Sequence, residues 1–438
     1  MKKHCITLSL LLFGAWQIIA AQSIEIKLPK LGGRSAWFYS FTGNKVDSFD
    51  IKLDAKGTAK FAFPKKNYRG MAYFYVPQAG GMEVIIGEPQ LQIAGNEESV
   101  HYTTVQYPQS KENAYLTRIF QRRSYLLSQQ EWLKAGEQYL DNKDDKAFAA
   151  SLTTLLKENE KAVKLFDDSV KTSPLYAARF MELTLFMQRL YQAVQKPDSV
   201  VQKNLQNEMQ YRLDINALYT SGNLWTDVQT YYGGLFTQGE SNEANDRAYA
   251  ASVEKTLMRL QEPVRTAFFV AAATAADRNN RPFAVEQMAK DFLRNYPDTK
   301  VEDEKLQRIL NVYRVEKGNI APALAGLSKP ITQPAILIFF DSNCDHCRHE
   351  LDWLIEHFSE MTAKGYRIIS IAADTQQGNY LNAAAAFPWA KDDRLCDYKG
   401  FSGENFKNYG IIGTPTIFQL DKTGKILGKF AKMEDIER

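Results

Sequence analysis

The sequence predicts a multidomain α+β protein: an amino-terminal β-sandwich-like domain over residues 22–106, a central all-α domain over 107–317, and a carboxy-terminal α/β domain over 318–438. Three observations carry this prediction. The chain has 438 residues, more than one core holds at roughly 100 to 200 residues per domain. Its apolar period changes from two to about 3.6 after Pro108, and after Gly318 the two periods alternate. With 45% apolar and 24% charged residues, the composition is that of soluble globular domains and excludes disordered, collagen-like and coiled-coil chains.

Residues 1–21 stand outside the fold. Lys2 and Lys3 precede the apolar run Ile6 to Ala21, which Gly14 interrupts and the small pair Ala20-Ala21 closes. This order is that of a secretory signal peptide, with cleavage expected between Ala21 and Gln22. The run falls short of the roughly 20 residues that a span needs. Cys5 comes before the run rather than at its end, so a lipid anchor is not indicated. The mature protein is expected to be exported and soluble.

From Ser23 to about Val105, short runs follow one another: Ser23 to Leu28, Ala36 to Phe41, Phe49 to Leu53, Ala59 to Phe63, Met71 to Val76, Met82 to Ile86 and Gln90 to Ile93. Turn chemistry separates them, as at Gly32-Gly33, Gly43-Asn44, Gly57 and Gly80-Gly81. That pattern predicts a small antiparallel sandwich or barrel. No site stands out in it, and the solitary His101 reads as a surface residue.

Helical spacing follows, through Leu116, Ile119, Phe120 and Leu127, then Leu152, Leu155, Leu156, Val163 and Phe166, then Leu183, Phe186, Met187 and Leu190. Prolines at Pro174, Pro263 and Pro282 mark helix starts, because the first turn has no N–H partner to lose. About seven or eight helices are expected. The aromatics Trp132, Tyr176, Tyr191, Trp225, Tyr231 and Tyr232 read as packing residues.

In the last domain Ala335 to Phe340 and Tyr366 to Ala373 read as strands buried on both faces, with a helix from Cys344 to Ala363 between them. Asn379 to Phe387 and Ser402 to Tyr409 read as short helices. Pro415 to Leu420 and Lys425 to Phe430 form a hairpin across Asp421 to Gly424, and a last helix starts at Met433. Strand, helix, strand, helix and hairpin imply a mixed sheet covered by helices.

The chemistry concentrates at Cys344-Asp345-His346-Cys347, where the first of these strands gives way to its helix. Two residues between cysteines on a first helical turn bring both sulfurs within disulfide reach. The first thiol faces unpaired N–H groups and the positive end of the helix dipole, which favours thiolate, the form that attacks disulfides. A cationic His346 would stabilise that thiolate and Asp345 would oppose it. Zinc would need two further ligands. His349, His357 and Cys396 lie nearest, and none brings a second ligand pair, so neither a metal nor another cofactor is called for. Cys396 reads as a regulatory thiol or a small buried residue, and an inert structural disulfide is the remaining alternative for the pair.

Gly318-Asn319-Ile320-Ala321-Pro322, the strand-C-x-x-C-helix unit and Gly413-Thr414-Pro415-Thr416 together resemble the thioredoxin-like domain of TlpA/ResA-type thiol-disulfide oxidoreductases. The resemblance covers about 318–438, and the preceding regions look like the extension many exported bacterial members carry. It implies a thioredoxin-like α/β fold, Cys344 as attacking and Cys347 as resolving cysteine, and a cis Thr414-Pro415 peptide beside them. It also implies a periplasmic oxidoreductase that reduces or exchanges disulfides in other exported proteins.

The mechanism needs a proton acceptor for Cys347, and Asp374 and Asp341 are the candidates. Expected partners are disulfide-containing exported proteins and an unidentified redox partner, for which a membrane-bound protein is the candidate. The extension would choose the partner or mediate self-association. The balance of 54 Lys plus Arg against 51 Asp plus Glu leaves no basic field for nucleic acid. Asn343 stands where the family usually has tryptophan, which removes an aromatic shield beside the thiol. Two rivals remain: a binding or scaffold protein with a vestigial thioredoxin-like end, and a thiol peroxidase, whose Pro-x-x-x-Thr-x-x-Cys pattern is absent.

Overall fold

The computed structural model describes residues 22–139, 146–236 and 242–436. The expected signal peptide and Cys5 lie outside the described residues. Seven strands come first: β1 (Ser23–Lys27), β2 (Ser35–Thr42), β3 (Lys45–Lys52), β4 (Thr58–Ala62), β5 (Gly70–Val76), β6 (Gly80–Ile86) and β7 (Gln90–Ala94). They form two sheets, ordered β4-β1-β7 and β3-β2-β5-β6. Alternation sends Ile24, Ile26, Phe38, Phe74 and Val84 into one shared core. The pairing is not antiparallel throughout: β1 and β7 run parallel, with Ile24 opposite Leu91 and Ile26 opposite Ile93. The chain between them passes through the whole four-stranded sheet, and a connection that long permits two strands of the same direction.

Ten α-helices follow among the described residues: α1 (Lys111–Tyr139), α2 (Lys146–Val170), α3 (Tyr176–Gln195), α4 (Ser199–Tyr211), α5 (Ile215–Tyr219), α6 (Asn223–Gly234), α7 (Glu243–Leu257), α8 (Val264–Arg278), α9 (Pro282–Asn295) and α10 (Glu304–Arg314). The excess over about seven or eight comes from short breaks that the apolar period hides. Asp214 caps α5 by accepting the Ala217 N–H at 2.9 Å, and Gly222 takes a φ of +72° just before α6. Tyr176, Trp225 and Tyr232 are buried as expected, whereas Trp132 and Tyr191 are 80% and 48% exposed and pack no core.

The chain divides into two compact units. One holds the chain up to Gln192 together with Leu213–Val228, the other Ala193–Arg212 together with Gln229–Arg438. Helices therefore belong to both units, and the boundary expected at residue 317 falls inside the second. Within that unit the Arg281 guanidinium meets Asp246 at 2.7 Å, both fully buried. The Asn311 amide on α10 donates to the Lys407 carbonyl at 2.8 Å. Among the described residues no helix is long and apolar enough to cross a membrane.

The second unit also contains β8 (Ala335–Phe340), α11 (Asp345–Glu356), α12 (Phe358–Ala363), β9 (Arg367–Ala372), α13 (Gln377–Ala384), β10 (Arg394–Cys396), α14 (Glu404–Asn408), β11 (Thr416–Leu420) and β12 (Ile426–Phe430). Their sheet has the order β10-β9-β8-β11-β12. β8, β9 and β10 run parallel, and β11 is antiparallel to both β8 and β12. All six residues of β8 are buried. Leu337 and Phe339 join Ile369, Ile371 and Phe418 in one core, while Ile336, Ile338 and Phe340 join Cys347, Leu351 and Leu354 in another.

Several expected elements differ in detail. The helix expected from Cys344 to Ala363 breaks at His357, which caps both α11 and α12. The helix expected from Met433 is a 3-10 turn, Met433–Asp435. β10 escaped the sequence reading because three residues with a single buried Leu395 display no period.

Candidate active site

β8 delivers the chain to the site. Past Phe340, the Asp341 carboxylate accepts the Asn343 N–H at 2.9 Å, and the Asp341 carbonyl accepts the Cys344 N–H at 3.1 Å. This tight turn places Cys344 at the N-cap of α11 with extended backbone, φ −93° and ψ 116°. Its sulfur accepts the Cys347 N–H at 3.2 Å, the bond an N-cap oxygen ordinarily makes. A negative sulfur there meets a backbone donor and the positive end of the helix.

The two thiols differ in exposure. Cys344 is half-buried and Cys347 fully buried; neither is in a disulfide. Burial first, and then the adjoining Cys344 sulfur, push the Cys347 thiol up to about 12. Contacts with Thr414 and the Asp341 backbone pull it the other way. The Thr414-Pro415 peptide is cis, and the Cys344 thiol donates to the Thr414 carbonyl at 3.7 Å. The cysteine turn and the proline loop thus meet, as the sequence resemblance implied. His346 is exposed on the first turn of α11.

The two expected proton acceptors lie differently. Asp341 holds the cysteine turn. Asp374, just beyond β9, is 3% exposed. Its Oδ1 accepts the Ser342 hydroxyl, and its Oδ2 has no partner. Its carbonyl accepts the Cys396 thiol at 3.6 Å. Cys396 is half-buried on β10. Burial, followed by the negative charges of Asp374 and Asp397, raises its thiol above the ordinary value. Of the nearest zinc candidates, His357 gives Nδ1 to the Trp353 carbonyl at 2.9 Å. No group of three or more His, Cys, Asp or Glu among the described residues is arranged to hold a metal ion.

Glu350 was missed by sequence reasoning. It lies on α11 one turn beyond Cys347, is 7% exposed, and accepts the Met433 N–H at 2.7 Å. A signal was available, because Cys347, Glu350, Leu351 and Leu354 recur at the spacing of one helix face and all four are buried.

A buried central strand running into an N-cap cysteine, with a C-x-x-C turn facing a cis-proline loop on the next strand of a five-stranded mixed sheet, defines the thioredoxin-fold class. The relatives narrow it. The thiol-disulfide oxidoreductases ResA of Bacillus thuringiensis subsp. konkukian and of Bacillus cereus are each 34% identical over 95 residues, 21% of this chain and 50% of theirs. The chain carries a TlpA/ResA-like thioredoxin fold over that part of its length, and it spans about half the length of the curated relatives it matches. Solved structures similar to it include a DsbE-type thiol:disulfide interchange protein from Chlorobium tepidum, at 28% identity, 28% of this chain, 92% of that one and a TM-score of 0.25. Another is a thiol-disulfide oxidoreductase from Bacteroides fragilis, at 25% identity, 27% and 95% coverage and a TM-score of 0.25. No family model matches the chain.

Proposed function

We propose that the protein is an exported, periplasmic thiol-disulfide oxidoreductase that reduces or exchanges disulfides in other exported proteins through Cys344 and Cys347. The observation that carries this reading is the helix-capping sulfur: Cys344, half-exposed, accepts the Cys347 N–H at 3.2 Å beside the Thr414 carbonyl. The reading divides the chain into an amino-terminal β domain, a central helical region and a thioredoxin-like end. The first two choose the partner or mediate self-association.

In the reducing direction the Cys344 thiolate attacks one sulfur of a substrate disulfide. A mixed disulfide forms and the other substrate sulfur leaves as thiolate. Cys347 then loses its proton and attacks the Cys344 sulfur, which closes the Cys344–Cys347 disulfide and frees the second substrate thiol. Two electrons have passed to the substrate, and a redox partner restores the dithiol. The raised Cys347 thiol makes its deprotonation the demanding proton transfer. Asp341 or water takes that proton, since the Asp341 backbone lies against the Cys347 thiol.

The test is acceleration of insulin reduction by dithiothreitol, run with the full chain and with Cys344→Ser. Acceleration by the first and none by the second is the expected result. No acceleration by either protein would overturn the reading in favour of a scaffold role, and turnover of hydrogen peroxide at a comparable rate would favour a peroxidase.

A further inference from the structure

A polar groove adjoins the cysteine turn and shares only Asp341 with the exchange steps above. It encloses about 360 Å³, and its walls include Asp341, Asn343, Asp374, Lys399 and Phe401. Asp341 and Asn343 belong to the same turn as Cys344, so a group held in the groove lies close along the chain to any substrate sulfur engaged by Cys344. Asp374 contributes the unusual feature. It is 3% exposed, Ser342 serves its Oδ1, and its Oδ2 is buried without a partner. A buried carboxyl oxygen in that state retains acceptor capacity that no protein donor uses. Phe401, 45% exposed, adds a ring to the same wall. Lys399 is exposed, which leaves two acidic side chains and one basic one around the groove.

An unmatched acceptor, a second carboxylate and an aromatic ring suit one chemistry. A guanidinium is planar, carries several donors, pairs with carboxylates and stacks on rings; an ammonium satisfies fewer of these at once. We propose that the groove is a specificity pocket for a basic side chain of the polypeptide substrate, preferentially arginine, near its reactive cysteine in sequence. The proposal rests on the disulfide-exchange reading and names the substrate feature that the same site selects.

The test uses the full-length reduced protein and short disulfide-linked peptides identical except for Arg, Lys, Ala or Glu beside the cysteine. The Arg peptide is expected to be reduced about tenfold faster than the Ala peptide, the size of one charge-assisted hydrogen bond, with Lys between them and Glu slowest. In Asp374→Asn and Phe401→Ala the Arg-to-Ala ratio should shrink towards one. A ratio taken within each variant cancels any change in its basal rate. Equal rates for the Arg and Ala peptides in the wild type, or a ratio that survives Asp374→Asn, would overturn the proposal.

Binding of a serine-for-cysteine Arg peptide, followed by amide NMR shifts, needs no thiol and separates the two readings. Binding that Asp374→Asn abolishes, without turnover of any peptide, would keep the pocket and remove the oxidoreductase. Turnover without selective binding would do the reverse.

Discussion

The Cys344 sulfur accepts the backbone N–H of Cys347 at 3.2 Å, so the first thiol of the pair caps the helix that carries the second. Reactivity and helix geometry are therefore coupled. One residue is presented to solvent, and its partner is turned into the core against β8.

This asymmetry predicts opposite phenotypes for two conservative substitutions. Cys344→Ser should abolish disulfide exchange, whereas Cys347→Ser should still attack and then stall as a mixed disulfide with substrate. Non-reducing electrophoresis after incubation with a disulfide substrate reads the trapped species. Trapping by Cys344→Ser instead would reverse the assignment.

The raised Cys347 thiol sets a pH dependence. Resolution needs its thiolate, so below the raised value the rate of mixed-disulfide release should climb by about tenfold per pH unit, wherever this step limits. Stability follows the opposite sense. A thiol protonated in the fold but near 8.5 when unfolded binds more protons in the native state in between, so reduced protein loses stability as pH rises above roughly 8.5. The oxidised protein lacks this thiol and should show a smaller loss, that of the raised Cys396 thiol alone. Thermal melts of the two forms between pH 7 and 10 measure the difference.

Arg281 and Asp246 form a fully buried pair, and Arg281 also donates to the Gly233 carbonyl at 3.1 Å. Arg281→Ala leaves a buried carboxylate uncompensated and should cost about 3–5 kcal/mol. Urea unfolding of the wild type and variant gives the number. A loss below about 1 kcal/mol would show that the pair is readily replaced by water.

Gly410 ties α10 to the loop after α14. It has a φ of +58°, and a Cβ there would stand 2.8 Å from the Val312 backbone nitrogen. Gly410→Ala should destabilise the second unit by more than the roughly 1 kcal/mol of the backbone term alone, because backbone cannot yield as a side chain can. A midpoint shift in denaturant unfolding provides the check.

Glu350 offers a milder case. Glu350→Ala deletes the acceptor of the buried Met433 N–H and should cost about 1–3 kcal/mol. Faster hydrogen exchange at the Met433 amide would localise the effect to the 3-10 turn.

The chain's local chemistry was legible from its sequence wherever one residue dictates its own surroundings. The strand alternation from Ile24 to Ile93, the proline starts of α8 and α9, and the strand-to-helix passage at Cys344 all follow from side-chain period and backbone chemistry over a few neighbours. What joins distant segments was not. The parallel pairing of β1 with β7, the three-residue β10, the division of the helices between two units, the carboxyl of Glu350 bonded to Met433, and the unmatched Oδ2 of Asp374 each depend on residues tens of positions apart. Periodicity reports which face of an element is apolar; only the tertiary structure decides which partner covers that face and which polar atom is left without one.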